Sequence, residues 1–536
     1  MTSPSDDAPR ALKPAAPAAP AAPAAPAADA QTVAKTVGGG LLVITAAKLW
    51  FMVGGALITF GLPYIFNRGG QDGTKLYGQF VDINNTLSIL SMVLVTGCLQ
   101  AVSKWTSQFS ADPDRAAGAL RQLFWLMVGA AAVIGGGFVL SSPWIAAQRG
   151  NPELVNAYRA AGVVLVAYAL YVVYIGALNG RRRFLSQALF DISFTTLKAV
   201  LVLGAALLGW GVTGAFVGFA LAALLIALAA AWRVGLGPKG TPSPAGEVYG
   251  YALQVMLYTL VFNMIFKLDL LMVKPAAQAL AARGGLGEVA DVDRLMGLYG
   301  MAVNLSRLPW QATLAVTFVI FPLLSEATFS HDMERSRAYV RQTLRYLMLL
   351  IGLPAAALMA LPGAALAFLP ADYAAAATTL AWCAPAYFFF SLFNLSNTLL
   401  MSAGRAADAL WVGVVTVAAA AAMYLLWLPR CEGGLELIEV AARASMWAFA
   451  LGLCLGLWRL WRVFGAPLPL ASAGRLLAAT GAAWGAGLAL APLLSSRLLG
   501  LVGLGALAVV YLLTLTLLGE WGEEDRARAR RLLRRG

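Results

Sequence analysis

Lys48, Lys198 and Arg307 are basic residues that each fall near the middle of a long apolar run. A charge at the centre of a bilayer costs about 2.5 to 3.5 kcal/mol on insertion scales, so each such position implies a partner or a task. Asp191 shares a run with Lys198 but lies two helical turns earlier, roughly 10 Å by helix rise, too far for a direct pair. Asp82, and the couple Lys267 and Asp269, fall toward the ends of two other runs, where a long side chain can reach the interface. Three cations at similar depth on different helices repel one another unless water, acids or an anionic ligand neutralises them. The chemistry predicted is a hydrated cationic cavity for phosphate or pyrophosphate, with the planar fork of Arg307 and the point charges of Lys48 and Lys198 as ligands. Local pairing is the competing reading, with Asp191, Asp82 and Asp269 as charge partners and Asp191 also as a coupling acid.

Apolar runs must position these residues. Of the 536 residues, 60% are hydrophobic and only 12% are charged, against about half and a quarter in soluble domains, which excludes a soluble enzyme. At about 20 residues per span, the composition predicts an all-α polytopic membrane protein. Fourteen helices fit: Thr36 to Phe66, Phe80 to Ser103, Leu120 to Ala146, Ala160 to Leu178, Phe184 to Leu208, Gly211 to Trp232, Val248 to Val273, Leu295 to Leu324, Tyr346 to Leu369, Thr378 to Met401, Ala406 to Leu428, Ile438 to Leu460, Ala471 to Leu493 and Leu498 to Leu518. Residues 1–35 read as a disordered Pro/Ala-rich arm, 234–247 as a linker between two lobes (36–233 and 248–462), 463–519 as two extra helices, and 520–536 as a basic tail.

The formal net charge of +13 comes from bases gathered in short loops, among them Lys104, Arg181, Arg182, Arg183, Arg335, Arg337 and Arg341. That is the pattern of loops retained in the cytoplasm, so both termini are expected there, and nucleic acid is not the expected partner. Four scattered cysteines and one histidine, His331, hold no zinc pattern, and no cofactor is expected.

An internal repeat is legible. Leu76-Tyr77-Gly78 recurs as Leu298-Tyr299-Gly300, Arg121-Gln122 as Arg341-Gln342 and Gly180-Arg181 as Gly404-Arg405. Two six-helix halves entering from the same side predict a parallel-repeat transporter with its site between the halves. Asn85 stands at the repeat position of Arg307, so the cavity would be electrostatically lopsided. The Gly209, Gly211, Gly214 string joins two spanning helices and reads as a tight hairpin. Gly452 with Gly456, and Gly481 with Gly485, read as small-residue helix contacts.

The stretch Gly297-Leu298-Tyr299-Gly300-Met301-Ala302 running to Phe321-Pro322-Leu323-Leu324-Ser325, with Leu76-Tyr77-Gly78, Leu178-Asn179-Gly180-Arg181 and Asp269, resembles the multidrug/oligosaccharidyl-lipid/polysaccharide exporter superfamily, and its polysaccharide-transporter branch in particular. The resemblance covers residues 36 to about 519. It implies two lobes in alternating access and a non-enzymatic flippase of the bacterial inner membrane. The implied cargo is a polyprenyl-pyrophosphate-linked oligosaccharide. Membrane lipids and a polysaccharide polymerase or ligase are the implied partners. Lys48 falls where lipid II flippases of the superfamily carry an arginine thought to meet pyrophosphate, and Arg307 is similarly placed in the second half. Lysine replaces arginine at the first position, and the remaining arginines of that set are incomplete. Lipid II and small-molecule antiport are the transport alternatives. A polymerase or ligase fits less well, because it needs a large external loop that this chain lacks.

Overall fold

A polypeptide crossing hydrocarbon must satisfy its backbone internally, and every described element of this chain is helical. The computed structural model describes residues 30–69, 72–109, 111–237, 239–289, 291–465, 470–494 and 497–520. The start of the Pro/Ala arm and the arginine-rich tail lie outside them. Thirteen described helices are long and apolar enough to cross a membrane. We label the helices α1 (Ala30–Phe66), α2 (Gly73–Gln108), α3 (Pro113–Gln148), α4 (Pro152–Gly180), α5 (Phe184–Leu207), α6 (Gly211–Val234), α7 (Ala245–Ala282), α8a (Val292–Ser306), α8b (Leu308–Phe329), α9 (Met333–Ala360), α10 (Ala371–Ser402), α11 (Ala406–Arg430), α12 (Gly434–Phe464), α13 (Leu470–Leu493) and α14 (Arg497–Leu517).

Two departures from the sequence reading matter for the site. The single eighth helix expected over Leu295 to Leu324 is two helices that part at Arg307. Pro309 causes the break, because it has no N–H to give the Leu305 carbonyl and its ring crowds that oxygen. Helix α7, expected over Val248 to Val273, continues through Pro275 to Ala282, although a Lys-Pro step disfavours helix at the lysine. Lys274 therefore sits inside a packed helix. Asp112 caps α3 by accepting the Arg115 N–H, with Pro113 in the first turn. Other expectations hold. Gly209 and Gly211 take positive φ, 81° and 59°, in the hairpin between α5 and α6. Gly452 packs on Thr416 and Phe393, and Gly456 on Ser396. Gly481 and Gly485, by contrast, face open space rather than a neighbouring helix.

Helices α1 to α6 form one lobe through α1 on α5, α2 on α4, and α6 on both α4 and α5. In the other, α12 packs on α10 and α11, while α9 packs on α8b and α10. Helices α13 and α14 lie on α9, where Tyr511 Oη donates to the Leu349 carbonyl at 3.1 Å and Arg345 pairs with Glu520 at 2.6 Å.

Helix α2 joins the lobes, packing across their boundary on α7 and α8a. The residues of the repeat make this contact. A methyl group at Gly78 would fall 1.7 Å from the Asp293 carbonyl oxygen, and one at Gly297 would fall 2.2 Å from that of Thr74. Tyr77 is buried beside them and its Oη accepts from Asn304 Nδ2 at 3.1 Å. This contact lies at the end of the bundle carrying the α1–α2 and α7–α8a connections. At the opposite end, the linker lies along α3: Asp114 accepts from the Thr241 N–H at 3.0 Å and from its hydroxyl. Gln122 and Ser243 bond reciprocally, with Nε2 donating to the Ser243 carbonyl at 2.8 Å and the Ser243 N–H donating to Oε1 at 3.0 Å.

Gly78→Ala is expected to separate the lobes at the α1–α2 end at a cost of about 1–3 kcal/mol for overpacking, seen as a lowered unfolding midpoint. Gly55→Ala, whose methyl group meets nothing within 4 Å, should not lower the midpoint, since alanine in an open helical position only favours the helix.

Candidate functional site between the lobes

The three cations singled out from the sequence do not share a partner. Lys48, on α1, pairs with Asp191 of α5 at 3.1 Å, so its acid is on a neighbouring helix and Asp191 serves Lys48 rather than Lys198. Trp50 Nε1 donates to Thr196 Oγ1 at 3.0 Å beside this pair and fixes the register of α1 on α5. Lys198 lies over the Phe219 ring of α6, 4.0 Å from its centroid. By helix rise, Asp191 stands about 10 Å from the start of α5, whereas Lys198 is about 10 Å farther along, so the charges occupy different depths.

Arg307 sits at the break between α8a and α8b, where it is buried. Its Nε donates to Tyr387 Oη at 2.7 Å, and Nη2 donates to the Phe266 carbonyl at 2.8 Å and lies 3.7 Å from Asp269 Oδ2. The guanidinium also stacks 4.3 Å from the centroid of Phe266. Asp269 thus acts as the charge partner of Arg307, and Tyr299 Oη donates to it at 3.4 Å. The aromatic group Tyr387 to Phe390 is packing around this arginine: Tyr387 and Phe390 meet Phe266 and Phe449 edge-on or tilted.

Lys267 is the second cation on Phe266, with Nζ 6.0 Å from the centroid. Among the described residues it makes no ion pair. Two cations therefore face one carboxylate beside a broken helix, and the group carries a net positive charge. The other lobe approaches it here, since Asn85 of α2 donates Nδ2 to the Lys267 carbonyl at 3.3 Å. Among the described residues, Asn85 Oδ1, Asn263 Nδ2 (one turn before Lys267) and Ser306 Oγ (beside Arg307) are buried without a hydrogen-bond partner. Unpaired polar atoms in such places are costly unless a ligand or water completes them. Discontinuous helices at mid-depth are the usual way a transporter presents backbone and side-chain polarity to a substrate.

The lobes also meet through a second charged group, at the α1–α2 end. Lys274 of α7 has no exposed surface and donates at 2.9 Å to both Asp82 Oδ2 of α2 and Asp293 Oδ1 of α8a. Tyr158 of α4 donates to Asp82 at 3.1 Å, and Arg149 stands 3.5 Å from Asp82 Oδ1. From the first lobe, Gln79 and Asn151 donate to Asp293 at 3.2 and 3.1 Å. Lys75 with Asp291 at 2.8 Å, and Arg294 with Asp72 at 3.5 Å, continue the bridging toward the surface. Asp82 was expected near a helix end with a charge partner. Lys274 and Asp293 both fall in the connection between the expected helices Val248 to Val273 and Leu295 to Leu324, where a charge carries no signal of burial.

Asp269→Asn is expected to leave Arg307 buried without its acid and to cost about 3 kcal/mol, with Arg307→Met in the same chain recovering part of the loss in a double-mutant cycle. Burial alone would raise the Asp291 carboxyl, but the Lys75 ammonium and the backbone N–H groups of Asp293 and Arg294 outweigh it and hold the group below its ordinary value. A carboxyl lowered on folding stabilises fully above its unfolded value of about 4, and that contribution disappears as pH falls through the lowered value. Asp291→Asn should remove the acid part of the stability profile that this carboxyl supplies, measured as unfolding midpoint against pH.

Residues 86–367, just over half of the chain, match the family model described as polysaccharide biosynthesis protein. No curated protein sequence matches the chain. Among solved structures, the fold is similar to that of the lipid II flippase MurJ in an inward closed conformation, with TM-score 0.69 and 11% identity over 89% of this chain and 99% of that one. It is also similar to a multidrug resistance MATE family transporter in an outward-facing conformation, with TM-score 0.58 and 14% identity over 79% of this chain and 96% of that one. A third is a MOP superfamily transporter from Pyrococcus furiosus, described as having a binding pocket of reverse polarity, with TM-score 0.54 and 14% identity over 78% of this chain and 95% of that one. The chain is a multi-pass membrane protein that belongs to the family described as polysaccharide biosynthesis protein, with a fold shared by the flippase and transporter structures above.

Proposed function

We propose that the protein is a flippase that moves a polyprenyl-pyrophosphate-linked oligosaccharide from the cytoplasmic to the external leaflet of the bacterial inner membrane, for cell-surface polysaccharide synthesis. One observation carries the reading: Lys267 and Arg307 lie on one ring at the break in the eighth helix, and the single carboxylate beside them, Asp269, is paired with Arg307. That surplus of positive charge, with unpaired donors on Asn263 and Ser306, calls for an anion. Arginine and lysine together suit a diphosphate, the first by its fork and the second as a point charge. The neutral lipid tail stays in the bilayer, and no bond is made or broken. The Lys and Arg bias of the loops at the α2–α3 end supports a cytoplasmic location for that end and for both termini. The lobe contact at the α1–α2 end then closes the external side. Lipid II is the second reading, supported by the likeness to MurJ; the family match favours a polysaccharide precursor.

Native mass spectrometry of the gently solubilised protein tests this. Wild type is expected to carry a polyprenyl-diphosphate glycan that Lys267→Gln and Arg307→Ala lose, and Arg307→Ala should abolish flipping without loss of membrane insertion. Ordinary phospholipid alone in all three, or normal transport by Arg307→Ala, would overturn the proposal.

A further inference from the structure

The charged group around Lys274 divides unevenly between the lobes. Asp82, Arg149, Tyr158, Gln79 and Asn151 belong to the first lobe, and Lys274 and Asp293 to the second. Each lobe thus holds one acid and one base. Asp82 has Arg149 at 3.5 Å within its own lobe, and Lys274 has Asp293 at 2.9 Å within its own. The ionic contact that crosses the boundary in this group is Lys274 with Asp82 at 2.9 Å. We propose that this end of the molecule opens by partner exchange: Lys274 leaves Asp82 and keeps Asp293, while Asp82 falls back on Arg149, so that the lobes separate as two neutral pairs.

A buried ion deprived of its partner is costly, whereas one handed to a waiting partner loses only the difference between two contacts. The arrangement removes the need for a proton or a metal ion to neutralise a stranded charge. Lys274 acts as a tethered cation between two carboxylates, in the place a coupling cation would otherwise fill. The inference goes beyond the cargo and rests on the two-lobe transporter reading only in requiring that the lobes part.

Partner exchange predicts opposite effects from two isosteric neutralisations around one lysine. Asp82→Asn removes the cross-lobe bridge and favours the open end. Asp293→Asn keeps the bridge, and its amide can still pair with Asn151 and with a flipped Gln79 amide across the boundary, but it removes the charge that receives Lys274 on opening, and so favours the closed end. Arg149→Gln, which deprives Asp82 of its own-lobe partner, sides with Asp293→Asn and gives a second, less buried test if the aspartate variants fold poorly. Spin labels at Asn67→Cys and Glu288→Cys, both exposed positions at this end on different lobes, in a background with Cys98, Cys383, Cys431 and Cys454 replaced, report the distance in lipid nanodiscs by pulsed electron resonance, without substrate. The expected result is an open-to-closed ratio raised about tenfold by Asp82→Asn and lowered about tenfold by Asp293→Asn and Arg149→Gln, the size of one charge-assisted hydrogen bond. Shifts of the same sign in Asp82→Asn and Asp293→Asn, or a longer distance in Arg149→Gln, would overturn it. Because no lipid-linked glycan is needed, failure here is separate from failure to find the cargo.

Discussion

A lysine ammonium with no access to solvent, held between carboxylates from two lobes, is the constraint around which this molecule is arranged. Removing an ammonium from water costs several kcal/mol, recovered only with near-ideal geometry to its counter-charges. The two 2.9 Å contacts of Lys274 meet that demand only if α2, α7 and α8a come together at one depth. The glycine pair Gly78 and Gly297 makes this possible by letting α2 and α8a approach backbone to backbone. The Tyr-Gly repeat that marks the two halves in the sequence is thus the surface along which they meet. Close packing and charge pairing specify the same register, so a slip of either helix would sacrifice both.

The charges nearer mid-depth follow a common plan in each lobe. The first has an ion pair, Lys48 with Asp191, and a lysine resting on an aromatic ring, Lys198 on Phe219. The second has Arg307 with Asp269 and Lys267 on Phe266. Cation–π contact lets an ammonium sit in a partly dry setting without a fixed counter-ion, which leaves its charge available to a passing anion. Paired cations contribute shape and rigidity, whereas those lying only on rings contribute field.

Helix type, approximate number and the twofold organisation were legible in the sequence because apolar runs and short basic loops follow directly from the bilayer. The acids Asp82, Asp191 and Asp269 were recognisable as charge partners from their depth alone. Which base each would meet was not legible, since those pairs join different helices and depend on rotation about the helix axis, which a single sequence does not record. Lys274 was lost because a Lys-Pro step in α7 has the local chemistry of a terminus, and tertiary packing overrode that preference. The break at Arg307 has its signal in Pro309, but the apolar run continues beyond it and has the length of a single helix.

The linker laid along α3, stitched by Asp114 with Thr241 and Gln122 with Ser243, has a mechanical consequence. A connection free along its length would let the lobes slide, tilt or twist relative to each other. One tacked down over several residues leaves the chain only a short lever at that end. Any parting of the lobes would then turn about the stitched end, and a small rotation there would give its largest displacement at the opposite surface.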